Sequence, residues 1–236
     1  MSEIEQGTPA WYEARAGHIT ASRISDVMSK GQGKKESVTR KAYMAQVICE
    51  RLTKKSLEED RNNFYDIRRG KDLESIARVE YESRNGVVVD TAGFVKHPTL
   101  PMAGCSPDAL IGKDGLAQFK CPRRHIHLDW IMRGIVPAEH RDQMLFEMAC
   151  HPERTYNDFV SYVDDLQEVP QLQLFQVRLH RDVNRITEIE AAVAKFNAEV
   201  EATIAKLTGK EPSLEQQLRD SLRMVEEKQS EGEMVT

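Results

Sequence analysis

The stretch AGCSPDALIGKDGLAQFKCP, residues 103–122, decides the fold. Two β-like runs flank a polar turn read at Lys113-Asp114-Gly115, so the segment is a hairpin. Alternation along its second arm puts Gln118 and Lys120 on one face and Phe119 on the other. Asp108, on the first arm, meets that face across the hairpin. A carboxylate and a lysine on one strand pair suit a hard cation held against a phosphate. Magnesium takes oxygen donors, keeps several waters and needs one or two carboxylates beside the substrate phosphate. Taken alone the pattern is weak, because an Asp in a turn and a Lys snorkelling from a strand fit it equally.

Outward from the hairpin, VVVD (87–90) and GFVKH (93–97) are further short β-like runs. Before them, GKDLESIARVEYESRNG (70–86) spaces Leu73, Ile76, Ala77 and Tyr81 at helical intervals until Asn85-Gly86 stops it. A helix is also expected from about Val38 to Leu52. Another follows Thr20 in ASRISDVMS, with Thr20 or Ser22 as its cap and SKGQGKK as its end. Downstream come helices over Ile126–Arg133 and Ala138–Cys150, strands in YNDFVSYVDD and LQLFQVRLH, and a long helix from about Val183 to Leu207. The order is that of an α/β layer fold in one domain, residues 1–209. Residues 210–236 form a charged helical tail with Leu214, Leu218, Leu222 and Val225 on one narrow stripe, either frayed on its own domain or docked on a neighbouring subunit or partner.

A chain of 236 residues with 40% hydrophobic and 30% charged content can bury one sizeable core. No run approaches the ~20 apolar residues of a membrane helix, and MSEIEQGTPAW has neither the basic nor the apolar part of a secretory signal, so a cytoplasmic protein with no membrane contact is expected. Cys49, Cys105, Cys121 and Cys150 lie far apart without a CxxC pair, which reads as reduced thiols rather than a structural zinc. The net charge of −5 excludes the all-over basic coat of many duplex-binding proteins. Basic residues nevertheless cluster at Lys30, Lys34 and Lys35, at Arg68, Arg69 and Lys71, and at Arg123 and Arg124, either as solvated charge or as a local channel lining.

Five blocks, PAWYEARAGHITAS (9–22), RRGKDLESIAR (68–78), AGCSPDAL (103–110), GLAQFKCP (115–122) and EHRDQM (139–144), stand in the order and at the spacing of one family. The chain resembles the phage lambda exonuclease and YqaJ-like viral recombinase family of PD-(D/E)xK alkaline exonucleases. That resemblance implies an α/β, restriction-endonuclease-like core with a mixed β-sheet flanked by helices. It implies a Mg²⁺-dependent 5′→3′ exonuclease of double-stranded DNA that releases mononucleotides and leaves 3′ overhangs for recombination by single-strand annealing. Two Mg²⁺ per site, with Mn²⁺ as substitute, 5′-phosphorylated duplex ends, a single-strand annealing partner and a ring-shaped homotrimer belong to the same expectation. So does a phage or prophage origin in a bacterial cytoplasm.

Carried over residue by residue, the resemblance makes Asp108 the metal-bridging carboxylate, Lys120 the catalytic lysine and position 118 the second metal ligand. Phe119 lends its backbone carbonyl to a metal, Glu74 acts through a metal-bound water, and Gln143 is the active-site glutamine of the following helix. Arg15, Ser22 and Ser106 match a pocket for the 5′-terminal phosphate, for which an Arg fork, two hydroxyls and a helix start are suited. Trp11 matches a position near the DNA end. Lys30, Lys34 and Lys35 fall in the family's glycine- and lysine-containing loop, where Gln32 replaces an expected arginine.

Gln118 is the departure, since this position is normally Glu. The amide keeps the shape but removes one charge and offers the metal a neutral oxygen. It is either an engineered Glu→Gln change that traps a substrate complex or a natural variant that tolerates a neutral ligand; the intact surroundings favour the engineered, inactivated form. Two rivals remain: a restriction-like or repair endonuclease, and a non-catalytic DNA-end-binding recombination protein.

Overall fold

The hairpin forms, but Pro107 cuts its first arm in two. The computed structural model describes residues 5–31, 37–58 and 65–210, and of 65–68, 70 and 71 the helical backbone only. Within it β4 (Ala103–Cys105) lies between β1 (Ile19–Thr20) and β3 (Val95–Lys96) in a three-stranded sheet. The next strand, β5 (Ala109–Ile111), belongs to a five-stranded sheet of order β2-β5-β6-β7-β8, with β2 Val89–Asp90, β6 Gly115–Lys120, β7 Tyr156–Tyr162 and β8 Leu174–His180. Proline brings no N–H to a ladder, so Ser106-Pro107-Asp108 becomes the passage between the sheets. The single β-like run expected over 103–112 is corrected accordingly. The turn also falls earlier than Lys113-Asp114-Gly115: Gly112 adopts a φ of 50°, and Gly115 is already paired with Ile111 under the ring of Tyr156.

β6 and β7 run parallel, whereas the other ladders of the five-stranded sheet are antiparallel. A parallel pair needs a long crossover, supplied by α5 (Arg124–Arg133) and α6 (Ala138–Cys150). On one face of the sheet, α4 (Tyr65–Asn85) packs Leu73, Ala77 and Tyr81 against Ala109, Ala117, Phe119 and Val160. Against the other face, Trp130, Val136 and Met144 close over Phe159, Phe175 and Val177. The result is a mixed sheet flanked by helices, as expected. Beneath the hairpin, fully buried Asp158 of β7 accepts hydrogen bonds from Tyr81 Oη at 2.7 Å and from the Arg178 fork at 2.8 and 2.9 Å, tying α4 and β8 to the sheet.

α1 (Pro9–Arg15) is capped by Thr8, whose hydroxyl accepts from the Trp11 N–H. α2 (Ile24–Met28) follows a 3₁₀ turn over Ala21–Arg23, and neither Thr20 nor Ser22 caps it with its side chain. The Thr20 N–H is instead taken by Tyr43 Oη at 3.1 Å, and the Ser22 hydroxyl faces Arg15. α3 (Val38–Thr53) and α7 (Val183–Thr208) complete the described elements. The chain divides into units Met1–Asn197 and Ala198–Thr236, the first of which holds every site residue. Lys34, Lys35 and the tail beyond residue 210 lie outside the described residues, as do the side chains of Arg68 and Lys71. All four cysteines are free thiols. Among the described residues no helix is long and apolar enough to cross a membrane.

Candidate active site

Register places Asp108 opposite Gln118, one step beyond the Ala109–Ala117 pair. The two side chains touch: Gln118 Nε2 donates to Asp108 Oδ2, which also accepts the Phe119 backbone N–H at 2.8 Å. Phe119 itself points the other way into the core, edge-on to Tyr81. Burial pushes the Asp108 carboxyl above its ordinary range, against the pull of Lys120, the Phe119 N–H and Arg78. A charge on Asp108 is therefore costly until a cation shares it.

Gln118, only 2% exposed, is held from behind by α6. Gln143 Nε2 donates to Gln118 Oε1 at 2.7 Å and to Glu147 Oε1 at 2.9 Å. One turn further along α6, Glu147 is fully buried, and its Oε2 accepts from Asn157 Nδ2 at 2.8 Å. Burial and the nearby Asp108 charge push the Glu147 carboxyl up to about 8, although the Gln143 and Asn157 amides pull it down. Close by, His140 stacks on Phe159, and burial with the Lys120 charge lowers it to about 3, so it is neutral.

The four residues assigned to a 5′ end do gather. Arg15 Nη1 donates to Ser106 Oγ at 3.2 Å and Nη2 to Ser22 Oγ at 3.5 Å, while its guanidinium lies 4.2 Å from the Trp11 ring centroid. Trp11 Nε1 also donates to Ser106 Oγ, at 3.1 Å. With two N–H groups on its oxygen, the Ser106 hydroxyl has its own proton to give to an anion. A carboxylate already sits there: Glu58 takes Arg15 Nε at 2.9 Å and Nη2 at 3.3 Å.

A cavity of about 950 Å³ joins these groups, lined among others by Trp11, Arg15, Ser22, Glu58, Glu74, Arg78 and Lys120. Glu74 and Arg78 also line a neighbouring cavity of about 410 Å³ that reaches Asp108. Arg78, Glu58 and Glu147 were not singled out by sequence reading. Arg78 stands one helical turn after Glu74, and Glu147 is a lone charge in the apolar run MLFEMAC one turn after Gln143, so both carried a usable spacing signal; Glu58 carried none. Of the basic clusters, Lys30 is exposed. Arg69 donates to the carbonyls of Cys121 and Pro122, and Arg124 pairs with Asp165, so these two act as local braces.

Asp108 and Glu74 suit a hard divalent cation, which takes oxygen donors. Residue 118 does not fit as it stands, because its nitrogen faces Asp108 and its oxygen faces Gln143. Among the described residues no group of three or more His, Cys, Asp or Glu side chains converges on one point.

The model of the YqaJ-like viral recombinase domain matches residues 10–161. The alkaline exonuclease LHK-Exo of Laribacter hongkongensis is similar over 86% of this chain and 97% of its own, at 40% identity and a TM-score of 0.78; its complex with dAMP gives 0.79. A phage-related exonuclease of Haemophilus somnus 129PT, at 14% identity and a TM-score of 0.56 over 80% of this chain and 96% of its own, shares the fold. No curated protein sequence matches the chain.

Proposed function

Because the chain belongs to the YqaJ-like viral recombinase family, we propose that it acts as a Mg²⁺-dependent, PD-(D/E)xK-type exonuclease that degrades duplex DNA 5′→3′ from 5′-phosphorylated ends, with turnover suppressed by Gln118. The observation that carries the reading is one cavity joining Lys120 and Glu74, beside the Asp108–Gln118 contact, to the Arg15–Ser22–Ser106–Trp11 cluster. An anion gripped at one end sets which phosphodiester reaches the other, so removal proceeds from the terminus.

A divalent ion held by Asp108, by the Phe119 carbonyl and through water by Glu74 would neutralise the scissile phosphate and acidify the attacking water. The chain's own groups do the rest. Lys120 Nζ holds that water in line and relays its proton, while Arg78 offsets phosphate charge from the cavity wall. As the water oxygen bonds to phosphorus, the bond to the 3′ oxygen breaks, and the released 3′ oxygen takes a proton to become a hydroxyl. The nucleotide leaves with its 5′ phosphate, and the strand keeps a new phosphorylated end for the next cycle.

We assign this activity to residues 1–209, with 210–236 as an assembly tail. A ring-shaped homotrimer with an inward basic lining would reconcile a net charge of −5 with duplex binding. A single-strand annealing protein in the host cytoplasm would receive the 3′ overhang. The test compares closed-circular, 5′-phosphorylated linear and 5′-hydroxyl linear duplex under the Gln118→Glu variant with Mg²⁺. Digestion confined to linear DNA and fastest on phosphorylated ends is expected; cutting of the circle would replace the reading with an endonuclease.

A further inference from the structure

Residue 118 sits at the end of a chain of amides and carboxylates whose hydrogen-bond directions are set from deep inside the protein. Asn157 Nδ2 lies 3.3 Å from the Met144 carbonyl and donates to Glu147 Oε2 at 2.8 Å, an orientation that leaves the buried Asn157 Oδ1 without a partner among the described residues and is held by these two acceptors. Glu147, fully buried, receives Gln143 Nε2 on its other oxygen at 2.9 Å. The one Gln143 nitrogen also serves residue 118, at 2.7 Å. A glutamine amide has one donor end and one acceptor end, so a Gln143 held as donor requires an acceptor from residue 118.

We propose that Glu147, when ionised, is a positioning residue which, through Gln143, demands a carboxylate at position 118 and holds Gln118 with its nitrogen toward Asp108. A glutamate would meet Gln143 with one oxygen and keep the other for a metal. Glutamine satisfies Gln143 only by aiming its NH₂ at Asp108, where it ties up the carboxylate that a cation needs. This inference rests on the metal-site reading above, but the relay itself exists without metal.

The relay predicts a sign that simple electrostatics does not. Removing a carboxylate near a cation site lowers cation affinity by Coulomb's law alone. If Glu147 locks Gln118 the wrong way round, Glu147→Gln in the Gln118 chain should raise Mg²⁺ affinity, by about tenfold, the scale of one charge-assisted hydrogen bond released. In the Gln118→Glu background the same substitution should lower it.

The experiment uses the full chain at about pH 9, above the point where the Glu147 carboxyl stands, so that its ionised, accepting form predominates. Mg²⁺ affinity is read by titration calorimetry, and the metal-free Gln118 side-chain NH₂ by ¹⁵N NMR, assigned by its disappearance in Gln118→Glu. The parent should show one downfield, exchange-protected NH₂ pair, and Glu147→Gln should replace or double it. Unchanged Gln118 resonances, or an Mg²⁺ affinity that falls in both backgrounds, would overturn the relay. Altered resonances with no Mg²⁺ binding by Gln118→Glu would leave the relay standing and remove the metal-site reading. Should Glu147→Gln fail to fold, Gln143→Leu cuts the relay at its middle and must change the same resonances.

Discussion

Glu58 should compete with a 5′ phosphate for Arg15, and neutralising it should tighten binding of phosphorylated ends. In the free protein Arg15 is 6% exposed and Glu58 19%, joined through Nε at 2.9 Å and Nη2 at 3.3 Å. An incoming phosphate has to take over those N–H groups and displace a carboxylate of its own sign. At an effective dielectric near 20, two unit charges about 4 Å apart repel by about 4 kcal/mol, and displacement toward solvent leaves roughly 1–2 kcal/mol of that. Glu58→Gln should therefore strengthen binding of a 5′-phosphorylated duplex by about fivefold to thirtyfold, taking about 1.4 kcal/mol per factor of ten. A 5′-hydroxyl duplex should hardly change. Arg15→Ala acts oppositely: it removes the charge-assisted bonds, worth about 1.5–3 kcal/mol, and leaves Glu58 facing the phosphate. The double variant separates the roles, because it also removes the carboxylate that faces the phosphate and should not recover preference for the phosphate. Fluorescence anisotropy with matched hairpin duplexes, without added metal, measures both affinities in the Gln118 chain. An affinity ratio that Glu58→Gln leaves unchanged would refute the reasoning, and a preference regained in the double variant would reduce Arg15 to a partner of Glu58.

Gln118→Glu should raise Mg²⁺-dependent nucleotide release by roughly 10²–10³-fold, the usual scale for one electrostatic stabiliser, and Lys120→Ala should abolish the gain; equal rates across a magnesium titration would remove residue 118 from the metal site. Glu147 also makes stability fall with pH: its folded carboxyl stands at about 8 against an ordinary 4.5, so between those values the native state keeps a proton that the unfolded chain has lost. The slope is at most about 1.4 kcal/mol per pH unit, and Glu147→Gln should flatten it, so that melting temperatures of parent and variant diverge from about pH 5 to about pH 9 in favour of the variant. Asp158→Ala removes the acceptor of the buried Tyr81 Oη and releases Arg178, whose side chain is 44% exposed and can turn to water, and should cost about 1–3 kcal/mol of stability by urea unfolding, whereas a loss below about 0.5 kcal/mol would mean that α4 is held by apolar packing alone. Light scattering should give a trimer mass, and deletion after Gly209 tests whether the tail helps close the ring.

Local rules were enough for the facing of Asp108 and Gln118. Asp108 and Gln118 are ten positions apart on two arms of one turn, and a two-residue alternation settles which side chains share a face before anything packs on them. The helices over Leu73–Tyr81 and Ala138–Cys150 were legible for the same reason, since their spacing is a property of consecutive residues. The break at Pro107 was readable in kind, from the missing N–H, but not in consequence: only the assembled sheets show that the residues before and after it belong to different ladders. The gathering of Arg15, Ser22 and Ser106 was implied by family resemblance and by nothing local, because three separate elements deliver those side chains. The partners that set each group's charge and direction, Glu58 on Arg15, Arg78 beside Asp108 and Glu147 behind Gln143, depend on tertiary structure. Periodicity orients a residue relative to its own helix or strand. Which residue stands across from it, and how far water is excluded from the pair, is decided by the crossover from β6 to β7 and by the packing of α6 against β7, which brings Gln143 to Gln118.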